Sequence, residues 1–365
     1  MEACLALANE PMAGRDRKER FSLRHRLGCW CHERWRTELV LSRPLARLAG
    51  MRWQALCNRR ERLLRGSDDE SWVCDWADSS WLTVARVFPE VGARLLRHCL
   101  EEWPAAFGGE HGPRSGGTVK ASVILPVRGG ERIPLFSQVL ASLVAQDCDS
   151  FEIIVAEEGQ EGLYARSGIR GARYVHVAPL AVGDGFAKSR AMNAGVQAAR
   201  GPIVVLHDAD TVVPRCYVRS ILERMAAGWD ALRPLRFLFC LGPEQTRDYM
   251  DSGGTALPGR VDAVMQNFPG CSVAIRRDVY WQIGGHDERF AGWGGEDLEF
   301  LDRLKTTRLF AGSYAPAIHL WHPPAPKKAS GNRNQTLMEE LRARPVAERI
   351  QALRRLRNSH NSWGP

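Results

Sequence analysis

The sequence lacks any apolar run long enough to cross a bilayer, for which a helix needs about 20 consecutive apolar residues. The amino terminus reads MEACLALANEP and carries Glu2 where a secretory signal peptide has positive charge. These two features argue against a membrane-spanning or secreted protein. They predict a cytoplasmic location.

A disulfide framework is not expected, although the chain has ten cysteines. They are spread along a long sequence without a secretory signal, so reduced thiols that pack as small core residues are expected. The stretch CWCH, residues 29–32, offers half of a zinc site. No second half follows at suitable spacing, so we interpret Cys29 and Cys31 as structural.

Net charge is absent from most of the chain. The formal charge is +8, yet residues 15–65 hold fifteen Arg or Lys against five acids, and residues 66–365 are balanced. Basic residues interleaved with tryptophan could bind nucleic acid phosphates and bases. We favour a solvated helical face, a contact with the acidic residues Asp68 to Glu70, or a peripheral contact with an anionic membrane on its inner face, where a lipid-linked acceptor would lie.

The sequence divides into three regions and shows no internal repeat. Residues 1–115 are rich in Arg and Trp and predict a mainly helical region that ends in a linker with five glycines, FGGEHGPRSGG. Residues 118–325 alternate apolar strands with helical patterns. Residues 326–365 predict a polar tail with a Leu- and Arg-rich helix from Asn334 to about Arg357, broken near Pro345.

The middle region predicts an α/β fold. ASVILPV, FEIIVAEE, YVHVA and PIVVLHDAD have the apolar texture of buried strands, and LFSQVLASLVAQ and GFAKSRAMNAGVQAARG have helical periodicity. Such alternation is typical of a mainly parallel sheet flanked by helices.

Two carboxylates follow the strand VVLH. Asp208 and Asp210 alternate on extended chain, so both side chains point the same way and can share a hard cation. Asp147 and Asp149 have the same spacing but follow no strand, which makes them a useful contrast. Ligands of open α/β sheets bind at the carboxyl ends of strands. We therefore expect a metal or ligand site at Asp208 and Asp210.

One imidazole from HLWHPP could complete that site. His322 is our first choice and His319 the reserve, although an isolated pair of histidines is usually a packing or surface feature. A mixed imidazole and carboxylate site suits Mn²⁺ better than Ca²⁺, with Mg²⁺ as a further candidate.

The stretch AGWGGEDLEF places Glu296 and Asp297 at the start of a predicted helix. Carboxylates there often serve only as partners of the helix dipole. That role does not explain the approach through Gly292, Trp293 and two more glycines, which indicates a segment that bends and closes over a ligand.

Together these motifs resemble the nucleotide-sugar glycosyltransferases of the GT-A fold, above all family 2 enzymes and the carboxyl-terminal region of β-1,4-galactosyltransferases. The resemblance runs from about Ser122 to Pro324, with the motifs in the family's order. IGGHDERFAGWGGEDLEF is the most specific match.

The resemblance also assigns donor contacts. VILPVRG is similar to the family's first strand and implies that Pro126 and Arg128 lie beside the nucleotide base. IIVAEEG implies Glu158 as the nucleoside contact, with Glu157 as the alternative. FAKSRAMNAG places Lys188 near the diphosphate. LHDAD implies Asp210 as a direct metal ligand and Asp208 close to the ribose or the metal.

The resulting hypothesis is an inverting, metal-dependent transfer of a hexose or N-acetylhexosamine from a nucleotide sugar, with UDP as the expected nucleotide. Asp297 is the candidate base, Glu296 holds the acceptor or the donor sugar, and Trp293 excludes water. Retaining polypeptide GalNAc-transferases resemble this stretch but carry Asn at the position of Asp297. The acceptor stays open among a glycan, a lipid-linked glycan and a peptide.

Two other functions were weighed. A glycoside hydrolase places its two carboxylates about 5 to 10 Å apart across the scissile bond, which neighbours at a helix start do not satisfy. A catalytically silent nucleotide-sugar-binding or scaffold protein is the alternative, but such proteins typically lose the base or a metal ligand, and this sequence keeps both.

Overall fold

The N-terminal region begins with a helix that one π-helical turn interrupts. The computed structural model describes residues 21–107, 118–168, 170–179, 185–292, 294–323 and 331–361. Helices α1 (Leu23–Cys29) and α2 (Trp35–Leu41) are joined by one π-helical turn, Trp30–Arg34, and α3 (Arg43–Leu48) follows.

The N-terminal region contains short strands as well as helices. The sequence predicts a mainly helical region over residues 1–115, but α3 ends at Leu48, and Gly50 has a φ of 62°, a conformation that favours glycine. A 3-10 turn, Trp53–Ala55, follows. The next elements are the short strands β1 (Leu63–Arg65), β2 (Trp72–Cys74) and β3 (Ser80–Trp81).

Two helices close the N-terminal region, α4 (Thr83–Val87) and α5 (Pro89–Glu102). Pro89 occupies the first turn of α5, where its missing N–H costs no hydrogen bond. The apolar stripe of α5 is buried, including Val91, Leu95 and Cys99, so this helix packs into the core.

The rest of the chain alternates strands and helices. In order they are β4 (Ala121–Val127), α6 (Ile133–Val144), β5 (Phe151–Glu158), α7 (Leu163–Arg166), β6 (Arg173–Val177), α8 (Lys188–Ala198), β7 (Ile203–His207), β8 (Thr211–Val212), α9 (Tyr217–Ala226), β9 (Ala231–Leu232), β10 (Leu235–Cys240), α10 (Pro243–Asp251), β11 (Ala263–Gln266), β12 (Ser272–Arg276), α11 (Arg277–Gln282), α12 (Glu296–Leu304), β13 (Ala315–His319), α13 (Gly331–Arg342) and α14 (Val346–Asn361). The predicted C-terminal helix is thus present and interrupted near Pro345.

The strands form two larger sheets. The six-stranded sheet has the order β6-β5-β4-β7-β12-β9. Its first four strands are parallel, and β12 runs antiparallel to both of its neighbours, β7 and β9. The five-stranded sheet has the order β3-β11-β10-β13-β8, in which only β10 and β13 run parallel. The α/β class predicted from the sequence is confirmed, because helices flank a sheet whose centre is parallel.

A cleft opens where two central strands part. The pairing of β4 with β7 ends at Ile124 and Leu206, whereas β4 continues beside β5 to Val127 and Glu157. Pro126, which has no amide hydrogen to donate, lies in this last part of β4. The carboxyl end of β7 is therefore left open for side chains and ligands.

One hydrophobic core joins the N-terminal region to the sheets. Trp53 is fully buried and its ring centroid lies 5.7 Å from that of Phe237 on β10. The buried Arg236 donates hydrogen bonds to the carbonyls of Gln54 (2.9 Å) and Leu56 (2.6 Å). The N-terminal region is thus built into the interior of the molecule. Among the described residues, none of the helices combines the length and the apolarity that crossing a membrane requires.

Candidate active site

The segment after β7 is held from both sides. The backbone N–H of Asp208 donates to the carbonyl of Cys271 (3.0 Å), and the N–H of Leu320 donates to the carbonyl of Asp210 (2.9 Å). The first bond links it to the chain before β12, and the second links it to the chain after β13. Asp147 of the contrasting pair instead forms an ion pair with Arg219 (2.9 Å).

Lys188 joins two of the predicted site residues. It is the first residue of α8, and its Nζ lies 2.8 Å from Oδ1 of Asp208 and 3.1 and 3.2 Å from the two carboxylate oxygens of Asp297. Burial opposes the charge, but the carboxylates of Asp208 and Asp297 raise the pKa of Lys188 well above its usual value. Asp208 and Lys188 precede Asp297 by 89 and 109 positions in the sequence, yet the three side chains meet in one cleft.

Asp210 faces two imidazoles and a guanidinium. Its Oδ2 lies 3.1 Å from Nε2 of His322, 3.8 Å from Nε2 of His319 and 3.8 Å from Nη1 of Arg132. Burial opposes ionisation, yet His319 and His322 hold the pKa of Asp210 well below its usual value. Burial lowers the pKa of His319, which favours the neutral imidazole that metal binding requires.

These three side chains could hold one divalent ion. One ligand atom from each of Asp210, His319 and His322 lies within 4.8 Å of the others. Nε2 is the nitrogen of His319 that faces Asp210, whereas its Nδ1 is buried without a hydrogen-bond partner among the described residues. One carboxylate and two imidazoles form a donor set that suits Mn²⁺. The sequence predicted His322 with His319 in reserve, and the structure places both beside Asp210.

Glu296 and Asp297 begin α12 as predicted. Gly292, Gly294 and Gly295 have φ angles of 80°, 105° and 92°, which explains why the approach to this helix is glycine-rich. Oε2 of Glu296 accepts a hydrogen bond from the N–H of Gly294 (3.1 Å). Trp293 lies outside the described residues, so its predicted role stays a prediction.

Both carboxyl groups are shifted towards the protonated form. Burial, followed by the neighbouring charge of Asp297, raises the pKa of Glu296 to about 7. Burial also raises the pKa of Asp297, while Lys188 opposes that increase. A carboxyl group whose pKa is raised is better suited to accept a proton from an alcohol.

The segment before β12 lies directly against Asp297. A Cβ atom placed on Gly270 would be 2.2 Å from Oδ2 of Asp297 and 2.7 Å from its Cγ. Only glycine allows this approach, because a methyl group there would displace the carboxylate. Gly270 was not predicted from the sequence.

The structure separates the roles of the two glutamates at the end of β5. Glu157 accepts hydrogen bonds from the N–H groups of Tyr164 and Ala165 and so caps α7. Glu158 accepts from the N–H of Ala187 (2.9 Å) and from Arg128 (3.3 Å). Glu158, Arg128 and Pro126 thus lie near the start of α8, and their contacts with a nucleoside stay predictions.

One charged group of the site, Arg132, was missed by the sequence analysis, and the rank of His319 was underestimated. Arg132 was not singled out, although VRGGER carries two arginines directly after the first strand of the sheet. Clustered cations at the carboxyl end of a strand are a signal for a phosphate-binding edge. The equal standing of His319 could not be found from sequence, since it depends on where β13 ends.

Comparisons with known proteins point to one family type. Residues 122–284 match the model of glycosyl transferase family 2, and residues 260–319 match the model described as the N-terminal domain of galactosyltransferase. The two matches overlap and together cover the cleft residues from Pro126 to His319. They agree with the two families that the sequence motifs resemble.

Individual relatives are distant. The chain is 26% identical over 220 residues to validoxylamine A glucosyltransferase of Streptomyces hygroscopicus subsp. jinggangensis (strain 5008), covering 50% of each chain. It thus spans about half the length of the curated relatives it matches.

Two solved structures are similar in part. The mannosyltransferase PcManGT from Pyrobaculum calidifontis, in complex with GDP-Man and Mn²⁺, has a TM-score of 0.40 and 19% identity, over 69% of this chain and 71% of that one. GalNAc-T7 with UDP, GalNAc and Mn²⁺ has a TM-score of 0.43 and 14% identity, over 68% of this chain and 55% of that one.

Proposed function

Because the chain is a glycosyltransferase of the family 2 type with a galactosyltransferase-like segment, we propose the reaction that it catalyses. It moves a hexose or N-acetylhexosamine from a nucleotide sugar, with UDP as the nucleotide, to a hydroxyl group of an acceptor. The transfer inverts the configuration at the anomeric carbon and depends on a divalent cation, Mn²⁺ or Mg²⁺.

The observation that carries this proposal is the bridge made by Lys188. One ammonium group contacts both Asp208, beside the candidate metal ligand Asp210, and Asp297, the candidate base. A nucleotide sugar needs positive charge at its diphosphate and a base on the far side of its anomeric carbon. The cleft provides both within the length of one lysine side chain.

Each side chain has a separate task in the proposed reaction. Asp297 removes the proton of the acceptor hydroxyl as that oxygen attacks the anomeric carbon. Lys188 stabilises the negative charge that accumulates on the departing diphosphate. Glu296 holds a sugar hydroxyl by hydrogen bonds, and Trp293 closes over the site to exclude water. Pro126, Arg128 and Glu158 hold the nucleoside.

Asp210 and His322, with His319 beside them, would hold the cation. When bound, a divalent ion adds positive charge at the diphosphate and orients its oxygens. His319 supports a ligand at this place, because its Nε2 lies 3.8 Å from the Asp210 oxygen that also faces His322.

The replacement of Asp297 by Asn tests the proposed base. We expect sugar transfer to fall by about 10² to 10⁴, the usual contribution of general base catalysis, while binding of the UDP-sugar, followed by calorimetry, persists. Lys305→Gln, an exposed residue directly after the C-terminal end of the same helix, serves as the control. Transfer within a few-fold of wild type in Asp297→Asn would show that the base is wrongly assigned.

The donor itself is identified by measuring UDP release across a panel of nucleotide sugars, with and without Mn²⁺. We expect one donor to be hydrolysed slowly in the absence of acceptor, and only with the ion. A protein that binds donors but releases nucleotide from none would instead be the silent binding module.

A membrane contact of the N-terminal region is part of the proposal. Six of the eight most exposed large apolar side chains in the described ranges lie between residues 23 and 48. Leu23 and Leu27 lie on one stripe of α1, which Trp30 continues at the start of the π-helical turn, and the exposed Arg24 and Arg26 lie beside them. Apolar and basic groups together suit an anionic lipid surface.

Vesicle sedimentation tests this contact. We expect binding to phosphatidylglycerol vesicles that weakens with salt, and no binding to DNA. The double substitution Leu27→Ser and Trp30→Ser is expected to abolish it, whereas Leu64→Ser, an exposed leucine on β1, is the matched control. Equal sedimentation of both variants would contradict the assignment.

A further inference from the structure

The segment between β11 and β12, residues 267–271, is the part of the site that the proposed reaction leaves unexplained. Two of its residues have positive φ without being glycine, Asn267 (54°) and Cys271 (66°). Such conformations are uncommon for residues with a Cβ and persist only where the surroundings enforce them. The 267–271 segment is therefore a fixed feature, with Gly270 against the carboxylate of Asp297.

The N-terminal region holds this segment in place. Nδ2 of Asn267 donates to the carbonyls of Trp76 (2.6 Å) and Asp78 (3.2 Å), and Oγ of Ser79 donates to the carbonyl of Asn267 (3.2 Å). Directly beyond, β3 pairs with β11 through Trp81 and Met265. Residues 76–79 thus lie beside Asn267, at the start of the 267–271 segment.

Residues 75–79 also lie within reach of the reaction. Asn267 and Gly270 are three positions apart along the chain, a span of at most about 11 Å. The strip stays accessible, because Asp75, Ala77 and Asp78 are exposed and Trp76 is half-buried. An acceptor whose hydroxyl meets Asp297 would extend along this strip.

The chemistry of the strip fits a sugar. An aromatic ring offers a flat face for the C–H groups of a pyranose, and carboxylates accept hydrogen bonds from its hydroxyls. Residues 72–81, WVCDWADSSW, supply three tryptophans and two aspartates. A peptide or a lipid chain carries few hydroxyl groups, so it would use few of these hydrogen-bond acceptors.

Resting on the proposed glycosyl transfer, we propose that residues 75–79 form an acceptor subsite for a saccharide, in which Trp76 stacks on a sugar ring beyond the reacting one. Asp78 accepts hydrogen bonds from hydroxyls of that ring. The acceptor class is accordingly a glycan of two or more sugars. The N-terminal region selects the acceptor as well as bracing the fold.

The test uses the full chain, Mn²⁺ and the donor that shows Mn²⁺-dependent UDP release. Cellobiose, lactose, xylobiose and N,N′-diacetylchitobiose are added in turn, each with its monosaccharide. We expect at least one disaccharide to accelerate UDP release more than its monosaccharide does. In Trp76→Ala and Asp78→Asn, the KM for that disaccharide should rise about tenfold more than the KM for the donor, a difference of about 1.4 kcal/mol.

Trp76→Phe, which keeps a ring, should restore most of the affinity, and melting temperatures check that each variant is folded. Trp229→Ala, a half-buried tryptophan that packs against Phe310, is the matched control. The subsite is refuted if Trp76→Ala leaves the ratio of the two KM values unchanged, or if no disaccharide outperforms its monosaccharide. Either result with UDP release intact leaves the proposed function standing, whereas loss of UDP release with every nucleotide sugar would refute that function itself.

Discussion

Lys188 sets the electrostatic balance of the cleft, because it is shared by two carboxylates that would otherwise repel each other. Its ammonium group contacts both Asp208 and Asp297, and its charge opposes the increase that burial causes in the pKa of Asp297. An opposite charge at this distance typically lowers the pKa of a carboxyl group by about 1 to 3 units. Removal of the lysine charge should therefore raise the pKa of Asp297.

We expect Lys188→Gln to raise the pKa of Asp297, since burial then acts on that carboxyl without an opposing cation. A base must be ionised to accept a proton, so the acidic limb of the pH profile of kcat/KM should move to higher pH by about one unit or more. Lys305→Gln should leave the limb in place. An unshifted limb in Lys188→Gln would mean that Asp297 is not the titrating base.

Gly270→Ala tests how closely the position of the base controls the rate. The added methyl would meet the carboxylate of Asp297, so we expect transfer to fall by about 10², the usual cost of a displacement near 1 Å. Donor binding should persist. Gly259→Ala is the matched control, because nothing lies within 4 Å of a Cβ there. Equal activity of the two variants would contradict the contact.

At the scale of single residues, the sequence predicted which side chains lie in the cleft, but not which of them contact each other. The positions of Asp208, Asp210, His322 and Asp297 in ordered motifs were enough to predict one cleft. The pairing of Asp208 with Lys188, rather than with the group around Asp210, depends on where α8 begins. No sequence pattern encodes that distance.

Among the elements, α12 is the one whose anchoring matters most to the site, since Glu296 and Asp297 begin it. Arg303 is fully buried on this helix, where its Nε donates to Glu299 (2.9 Å) and its Nη1 to the carbonyl of Ile283 (2.6 Å). Arg349 of α14 reaches the same glutamate (3.4 Å). The C-terminal helix thus holds α12 through a buried charge cluster.

Arg303→Ala should lower the free energy of unfolding by about 3 to 5 kcal/mol, because Glu299 is left buried with half of its compensation gone. Urea denaturation measures the change. Arg344→Ala, an exposed residue near the C-terminal helix, should stay within about 0.5 kcal/mol of wild type. A similar small effect of Arg303→Ala would show that α12 is held by apolar packing alone.

Strand β13 ends at His319, where the candidate metal site begins, so the positions of both imidazoles depend on this strand. We expect His319→Ala and His322→Ala each to raise the Mn²⁺ concentration for half-maximal activity by about tenfold or more, since each removes one candidate ligand. His32→Ala, an exposed histidine of the N-terminal region, is the control. An effect of His322→Ala alone would restrict the protein ligands to the pair predicted from sequence.

Periodicity predicted the long elements and missed the short ones. The parallel strands from β4 to β7 are continuous apolar runs, and they were found. Two-residue strands such as β8 and β9 carry no period, and β1 to β3 follow an arginine-rich stretch that resembled more helix. Their pairing depends on partners far away in the chain, as between β3 and β11.

For the whole molecule, the shared core predicts a single cooperative unit. A protease site inserted within residues 108–117, which carry five glycines, would cut the chain between its regions. We expect the two pieces to remain together in gel filtration, because Trp53 and the carbonyls bonded to Arg236 lie inside the same core. Separation of the pieces without denaturant would contradict this.

The strand pair β3 and β11 has a consequence for engineering and for divergence among relatives. An exchange of the N-terminal region between two such proteins would break the pairing of β3 with β11. It would also remove the carbonyl groups that accept from Arg236 and free the 267–271 segment beside Asp297. New acceptor preferences should therefore arise from point changes on an intact scaffold. A graft of the N-terminal region therefore has to transfer residues 54–81 and 235–272 together.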